Sequence, residues 1–256
     1  AERMLQEAGL DVQIRVLGII SVGDDVGLLN DEIIDRMRDA DGPWADAMAR
    51  AGENADFIFY LHNDVEEDTN DGLARVNGSR QGGLLSAERI IERGSHFSVV
   101  DIDGGTRVST FAHELGHLLG LGHSRRQVYE SLEENDRNAT PGTFPWSLGH
   151  GVDSEFVTTM GNESKFNVRQ QLELFSDPTK NCNGSFGCGI NRSNALEGAD
   201  AATTLRFTYP QAKKISDGRA PIIYRRYWNQ ILQIPQGNFW MELDYGAVDV
   251  VDGVIG

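Results

Sequence analysis

Between Ser109 and His123 the chain reads Ser-Thr-Phe-Ala-His-Glu-Leu-Gly-His-Leu-Leu-Gly-Leu-Gly-His, and three of its six histidines fall inside that stretch. His113 and His117 are four residues apart, so on a helix both imidazoles project from one face, one turn apart, where they can share an ion. Neutral imidazole suits Zn2+. Gly120 can take the left-handed conformation that ends a helix, and a chain reversing there can return His123 as a third ligand. Three protein ligands leave a fourth position open for water, which marks a catalytic rather than a structural zinc. Glu114, next to the first ligand, is placed to take a proton from that water as it attacks a carbonyl, and the chemistry is then amide hydrolysis. The rival reading is a set of ordinary histidines on an amphipathic helix, or a zinc site without catalysis; a purely structural site has no use for Glu114.

These residues need a rigid helix, and Val108, Phe111, Ala112, Leu115, Leu118 and Leu119 supply apolar surface around most of the rest of it. Further upstream, Ala1 to Ala8 reads as the tail of a helix and Val12 to Ser21 as a buried strand. Asn30 to Ala51 reads as a helix interrupted at Gly42-Pro43, and Asp56 to His62 as a second strand, which suggests a parallel crossover pair with the first. Gly72 to Asn77 and Phe97 to Ile102 are two more short strands. One mixed sheet therefore occupies roughly the first hundred residues. After His123 the chain is rich in Gly, Pro, Asn and Ser and reads as loop-dominated, with one further helix at Ser193 to Phe207. The segment after Tyr209-Pro210 reads as a separate extension. The fold class is α/β.

Composition narrows the partners. The net charge of −16 and sequence pI of about 4.7 exclude a nucleic-acid partner, because phosphate binding needs clustered Lys and Arg. The longest apolar runs, Val16 to Ile20 and Phe57 to Leu61, are too short to span a bilayer, so no transmembrane segment is expected. No start of the chain looks like a secretory leader, which leaves a cytoplasmic or an already processed protein. The two cysteines favour the second: Cys182 and Cys188 lie in a glycine-rich loop that can close as a disulfide, and a disulfide implies a secreted protein. Two free thiols in a cytosolic loop are the alternative. Acidic loops such as Asn63 to Asp71 admit Ca2+ as a second cofactor, although solvated loops explain them as well and no EF-hand spacing is present.

The pattern His-Glu-x-x-His-x-x-Gly-x-x-His resembles that of the metzincins, and Thr158-Thr159-Met160-Gly161-Asn162 resembles the methionine turn of that clan. Ala55-Asp56-Phe57-Ile58, Gly72-Leu73-Ala74-Arg75-Val76, Phe97-Ser98-Val99-Val100 and Phe175-Ser176-Asp177-Pro178 are similar to landmarks of adamalysin/reprolysin-type enzymes and bacterial relatives such as peptidyl-Asp metalloendopeptidases. The resemblance covers residues 1–209. It implies a zincin whose upper part, 1–123, holds a twisted mixed sheet, helices and the active-site helix, and whose lower part, 124–209, is irregular. Residues 210–256 would be an extension of unassigned role. It further implies a zinc endopeptidase acting on extended protein or peptide substrates in the cleft between those parts. Met160 would support the site without binding zinc. Gly72, Leu73, Ala74, Arg75 and Val76 would pair with substrate as an antiparallel edge strand, and residues after Met160, toward Asp177, would line the S1′ pocket.

Two departures stand out. Family members usually begin with a strand and most of a helix before the point corresponding to Ala1. The tyrosine that follows the methionine turn in some metzincins is replaced here by Gly161-Asn162, so oxyanion stabilisation falls to zinc, Glu114 or other groups. Two other functions fit the same residues: an aminopeptidase or single-substrate processing protease, and a zinc-stabilised adhesion or binding module.

Overall fold

The computed structural model describes residues 1–16, 28–39, 44–45, 56–62, 71–85, 96–101, 108–133 and 141–216. At its centre lies a three-stranded sheet of order β1-β3-β2, formed by β1 (Ile58–His62), β2 (Gly72–Ala74) and β3 (Phe97–Asp101). β1 runs parallel to β3 and β2 antiparallel to it, so the sheet is mixed. Alternate side chains of a strand face opposite ways, and β1 shows this directly. Ile58 and Tyr60 pack with Ile33, Ile34 and Met37 of α2 (Asn30–Asp39), whereas Phe59 stacks on Phe111 of α3 (Val108–Leu118), ring centroids 4.2 Å apart. One helix thus covers each face. β3 is buried along its whole length, as a central strand between two helical layers should be.

The second core forms where α1 (Glu2–Glu7), α3 and α6 (Ala201–Ser216) meet. Met4, Leu5, Ala112, Leu115, Leu119, Met160, Phe175 and Leu205 share that cluster. Residues from both ends of the described chain therefore close around α3. Lys180 and Arg206 fasten α1 from outside by donating to the Glu7 and Ala8 carbonyls at 2.7 and 2.8 Å.

The remaining elements are α4 (Arg125–Glu133), β4 (Gly151–Val152), β5 (Phe156–Val157), α5 (Glu163–Phe166), β6 (Asn181–Asn183) and β7 (Phe186–Gly187), joined by long irregular connections. The lower part is loop-dominated, as the sequence indicates, but α4 is a helix where none was expected. The expected helix from Ser193 to Phe207 begins instead at Ala201. Asn191 and Asn194 accept backbone N–H bonds from Ser193, Leu196 and Glu197, which turns the chain before a helix can start. Asp200 then caps α6 by accepting from Thr203 N at 3.1 Å. α6 continues through Pro210 to Ser216, past the expected start of the extension.

Val12 to Val16, the described part of the first expected strand, has no regular structure, and the parallel partner of β1 is β3. Residues 17–21 lie outside the described residues, as do Gly42-Pro43. Within the expected helix Asn30 to Ala51, helix is found at Asn30–Asp39 and again at Trp44 and Ala45. β2 is shorter than the expected Gly72 to Asn77.

Candidate metal centre

The helix α3 ends where Gly120 was expected to end it. Gly120 has φ +89°, its N–H bonds to the His117 carbonyl at 2.9 Å, and Leu121 N bonds to the Gly116 carbonyl at 2.9 Å. These two bonds are the 5→2 and 6→1 pair of a Schellman motif. Leu121 folds back over Gly116, and the chain then runs alongside residues 147–148, with Gly122 N bonded to the Ser147 carbonyl at 2.7 Å. That path returns His123 to the face of α3 carrying the other two imidazoles.

The three Nε2 atoms converge. His113 to His117 is 3.0 Å, His117 to His123 is 3.2 Å and His123 to His113 is 3.1 Å. Tetrahedral ligands around zinc, with Zn–N of about 2.0–2.1 Å, sit about 3.3 Å apart, so the spacing fits one such ion. Hydrogen bonding sharpens the point. His113 Nδ1 lies 2.7 Å from the Thr159 carbonyl and His117 Nδ1 lies 2.8 Å from the Leu121 carbonyl. A carbonyl can only accept, so both Nδ1 atoms carry the proton and both Nε2 atoms turn a lone pair inward. Two lone pairs at 3.0 Å repel unless a cation lies between them. Protonation does not relieve this: burial lowers the pKa of His113, lowers that of His117 well below its usual value with the two other imidazoles adding to the effect, and brings His123 to about 3. Among the described residues these three form the group of His, Cys, Asp and Glu close enough to share an ion.

Glu114 is buried, and its Oε2 has no hydrogen-bond partner. Burial, with the charge of Asp71 second, raises its pKa well above the ordinary carboxyl value. Its carboxyl rests against β2: a Cβ on Gly72 would come within 3.0 Å of Glu114 Oε1 and 3.1 Å of the Val99 carbonyl. The backbone oxygen cannot yield, so in Gly72→Ala the carboxyl must move. With Glu114 in the base role expected from the sequence, such a displacement would lower kcat/KM by about 10–100-fold, with zinc content unchanged, in a peptide-cleavage assay beside metal analysis.

Met160 lies fully buried in the turn closed by the Gly161 N to Thr158 carbonyl bond of 2.8 Å. A Cβ on Gly116 would stand 2.6 Å from its sulfur, so the glycine inside the histidine motif makes room for this methionine. In Gly116→Ala the gain in helix propensity of about 1 kcal/mol opposes an overpacking cost of about 1–3 kcal/mol. With Met160 enclosed on all sides, overpacking wins. Urea unfolding is expected to show a net loss of about 1 kcal/mol.

The other candidate residues are dispersed. Leu73 is half-buried against the α2 cluster, Ala74 is buried, and Arg75 pairs with Asp35 at 2.6 Å. Val76, half-buried, follows the end of β2. Asp177 is buried, with its carboxylate accepting from Thr179 N and Oγ1 at 2.9 and 2.6 Å and lying 3.6 Å from the Arg206 guanidinium. Cys182 and Cys188 are joined as a disulfide across the β6–β7 hairpin. The described residues give Ca2+ no support; residues 63–70 of its expected loop lie outside them. No helix among the described residues is long and apolar enough to cross a membrane. Sequence reasoning missed Thr159 and Leu121, whose backbone carbonyls orient the first two imidazoles.

Residues 1–124 match the sequence profile of the metallopeptidase family M12B, reprolysin-like. A peptidyl-Asp metalloendopeptidase of Pseudomonas aeruginosa is 39% identical over 82 residues, which cover 32% of this chain and 13% of that protein's length. A solved structure titled "Structure of a chaperone-substrate complex" is 21% identical, with a TM-score of 0.45, over 74% of this chain and 27% of that one. The profile match over residues 1–124, the curated relative and the three converging histidines support a metzincin-type zinc peptidase with a reprolysin-like M12B first half.

Proposed function

We propose that this chain is a secreted zinc endopeptidase that cuts within extended protein or peptide substrates, with His113, His117 and His123 holding the metal and Glu114 as general base. One observation carries the reading: two imidazoles fixed by backbone carbonyls with their lone pairs inward, a third beside them, and a buried carboxyl on the same helix with one oxygen unpartnered. The zinc, when bound, supplies a Lewis acid that makes a water acidic near neutral pH and polarises the scissile carbonyl. Glu114 accepts the proton of the attacking water and returns it to the leaving amine. The raised proton affinity that burial gives its carboxyl suits it to hold the proton between those two events.

The substrate lies along β2. That strand has β3 on one side only among the described residues, so its other edge offers N–H and C=O groups to an extended peptide. Glu114, packed against Gly72 and next to His113 in sequence, then lies beside both the bound peptide and the metal ligands. Residues after Met160, toward Asp177, form the S1′ wall, and Asp177, held by Thr179 and Arg206, keeps that wall in place. The catalytic unit is residues 1–209 and 210–256 is an extension, whose first residues, to Ser216, continue α6. The Cys182–Cys188 disulfide supports an extracellular or otherwise oxidising compartment.

Zinc-loaded protein is expected to cut casein and a peptide library at internal bonds. A chelator should abolish the cutting and added Zn2+ restore it, with the new termini mapped by mass spectrometry. Trimming confined to N-termini would mean an aminopeptidase, and no hydrolysis would mean a binding module.

A further inference from the structure

We propose that Gln127 is a positioning residue for the metal centre: its side-chain oxygen ties the segment that delivers His123 to the turn that carries Thr159 and Met160. The inference rests on the zinc-site reading above. Gln127 Oε1 accepts from Ser124 Oγ at 2.7 Å, Ser124 N at 3.3 Å and Asn162 N at 3.1 Å, and Ser124 Oγ accepts from Gln127 N at 3.4 Å. Ser124 and Gln127 thus form a capping box at the start of α4, in which the side chain at the third helical position normally reaches back to the cap residue alone. Here the same oxygen also holds a backbone N–H 35 positions further along the chain. A helix cap has no need of that third donor.

The two ends of the link explain its use. Ser124 is buried and directly follows His123. Asn162 lies two residues after Met160, in the turn whose Thr159 carbonyl accepts from His113 Nδ1. One amide oxygen therefore fixes the backbone beside the third ligand relative to the backbone that orients the first. α4 stays docked without it. Arg125 donates to the Pro145 and Gly198 carbonyls at 3.0 and 2.8 Å. Arg126 pairs with Asp153 at 2.6 Å and lies over the Phe166 ring at 4.4 Å. Val128 packs with Leu148 and Ala199. Removing the Gln127 oxygen thus frees the metal-ligand loop relative to the turn while the helix keeps its place.

The test uses the whole chain, with zinc affinity measured by competition against a chromophoric chelator and the visible spectrum recorded after Co2+ substitution. Gln127→Met is expected to weaken zinc binding by about 10–100-fold and to change the Co2+ band intensities, whereas Gln127→Glu, which keeps an acceptor, stays within about threefold of the parent. A residue that only capped α4 would lower the Tm of the metal-free protein and leave both metal readouts at their parent values, and that result overturns the proposal. Should Gln127→Met fail to fold, Gln127→Ser, too short to reach Asn162, carries the same expectation. Loss of affinity in Gln127→Glu would also overturn the proposal. If the parent protein takes up neither Zn2+ nor Co2+, the zinc-site reading fails first and this inference falls with it; if the parent binds and Gln127→Met binds equally, this inference alone is lost.

Discussion

Glu114→Ala is expected to retain its zinc and to lose about 10²–10⁴-fold in kcat/KM, the range that a positioned general base contributes. Stability should move differently from activity. The Glu114 carboxyl is buried with Oε2 unpartnered, and an unsatisfied buried polar group costs about 1–3 kcal/mol. Deleting it removes that cost, although it leaves a small cavity between α3 and β2. The Tm of the metal-free variant is therefore expected to equal or exceed that of the parent while turnover collapses. Glu114→Gln gives a shape-preserving control, since an amide fills the same space beside Gly72 but cannot take up a proton at neutral pH. Kinetics on one peptide, metal analysis and a thermal melt decide the matter together. Parental turnover in either variant would remove Glu114 from the proton-transfer role.

His117→Ala is expected to act on the metal. Loss of an outer partner of a ligand typically costs 10–100-fold in metal affinity, and loss of a ligand should cost at least the upper end of that range. His117 is the most enclosed of the three imidazoles and touches both of the others. At a zinc concentration about 1,000 times the parent Kd, binding stabilises the fold by about 4 kcal/mol, and a 100-fold weaker site at the same concentration gives about 1.4 kcal/mol. The zinc-induced rise in Tm should therefore shrink by more than half, together with the loss of peptidase activity. The metal-free protein should change less, because the deletion also removes one of the two lone pairs that face each other at 3.0 Å. A parental zinc-induced Tm shift in His117→Ala would show that the ion binds elsewhere.

The convergence of the three histidines was legible in the sequence because it rests on local rules. A four-residue spacing places His113 and His117 on one helical face, and a glycine at 120 permits the left-handed turn that brings back His123. The glycines around the two cysteines made the hairpin disulfide readable in the same way. The support around the site was less legible, since it depends on contacts between distant segments. Nothing near His113 in sequence announces the Thr159 carbonyl, 46 positions away, as its hydrogen-bond partner. The start of α4 did carry a local sign in Ser124-Arg125-Arg126-Gln127, which the charged residues that follow obscured. α6 was displaced toward the N-terminus because alanines continue its helical rhythm backward, whereas the side chains of Asn191, Asn194 and Asp200 decide where helix can begin. The mixed sheet was readable as strands, but strand partners are set by tertiary packing, and β1 pairs directly with β3 although β2 comes between them in sequence.

X-ray absorption at the zinc edge of the zinc-loaded protein tests the central claim most directly. Three imidazole nitrogens at about 2.0 Å and one exchangeable oxygen ligand are expected. A first shell with only two imidazoles, or with the fourth position filled by a protein side chain, would contradict it.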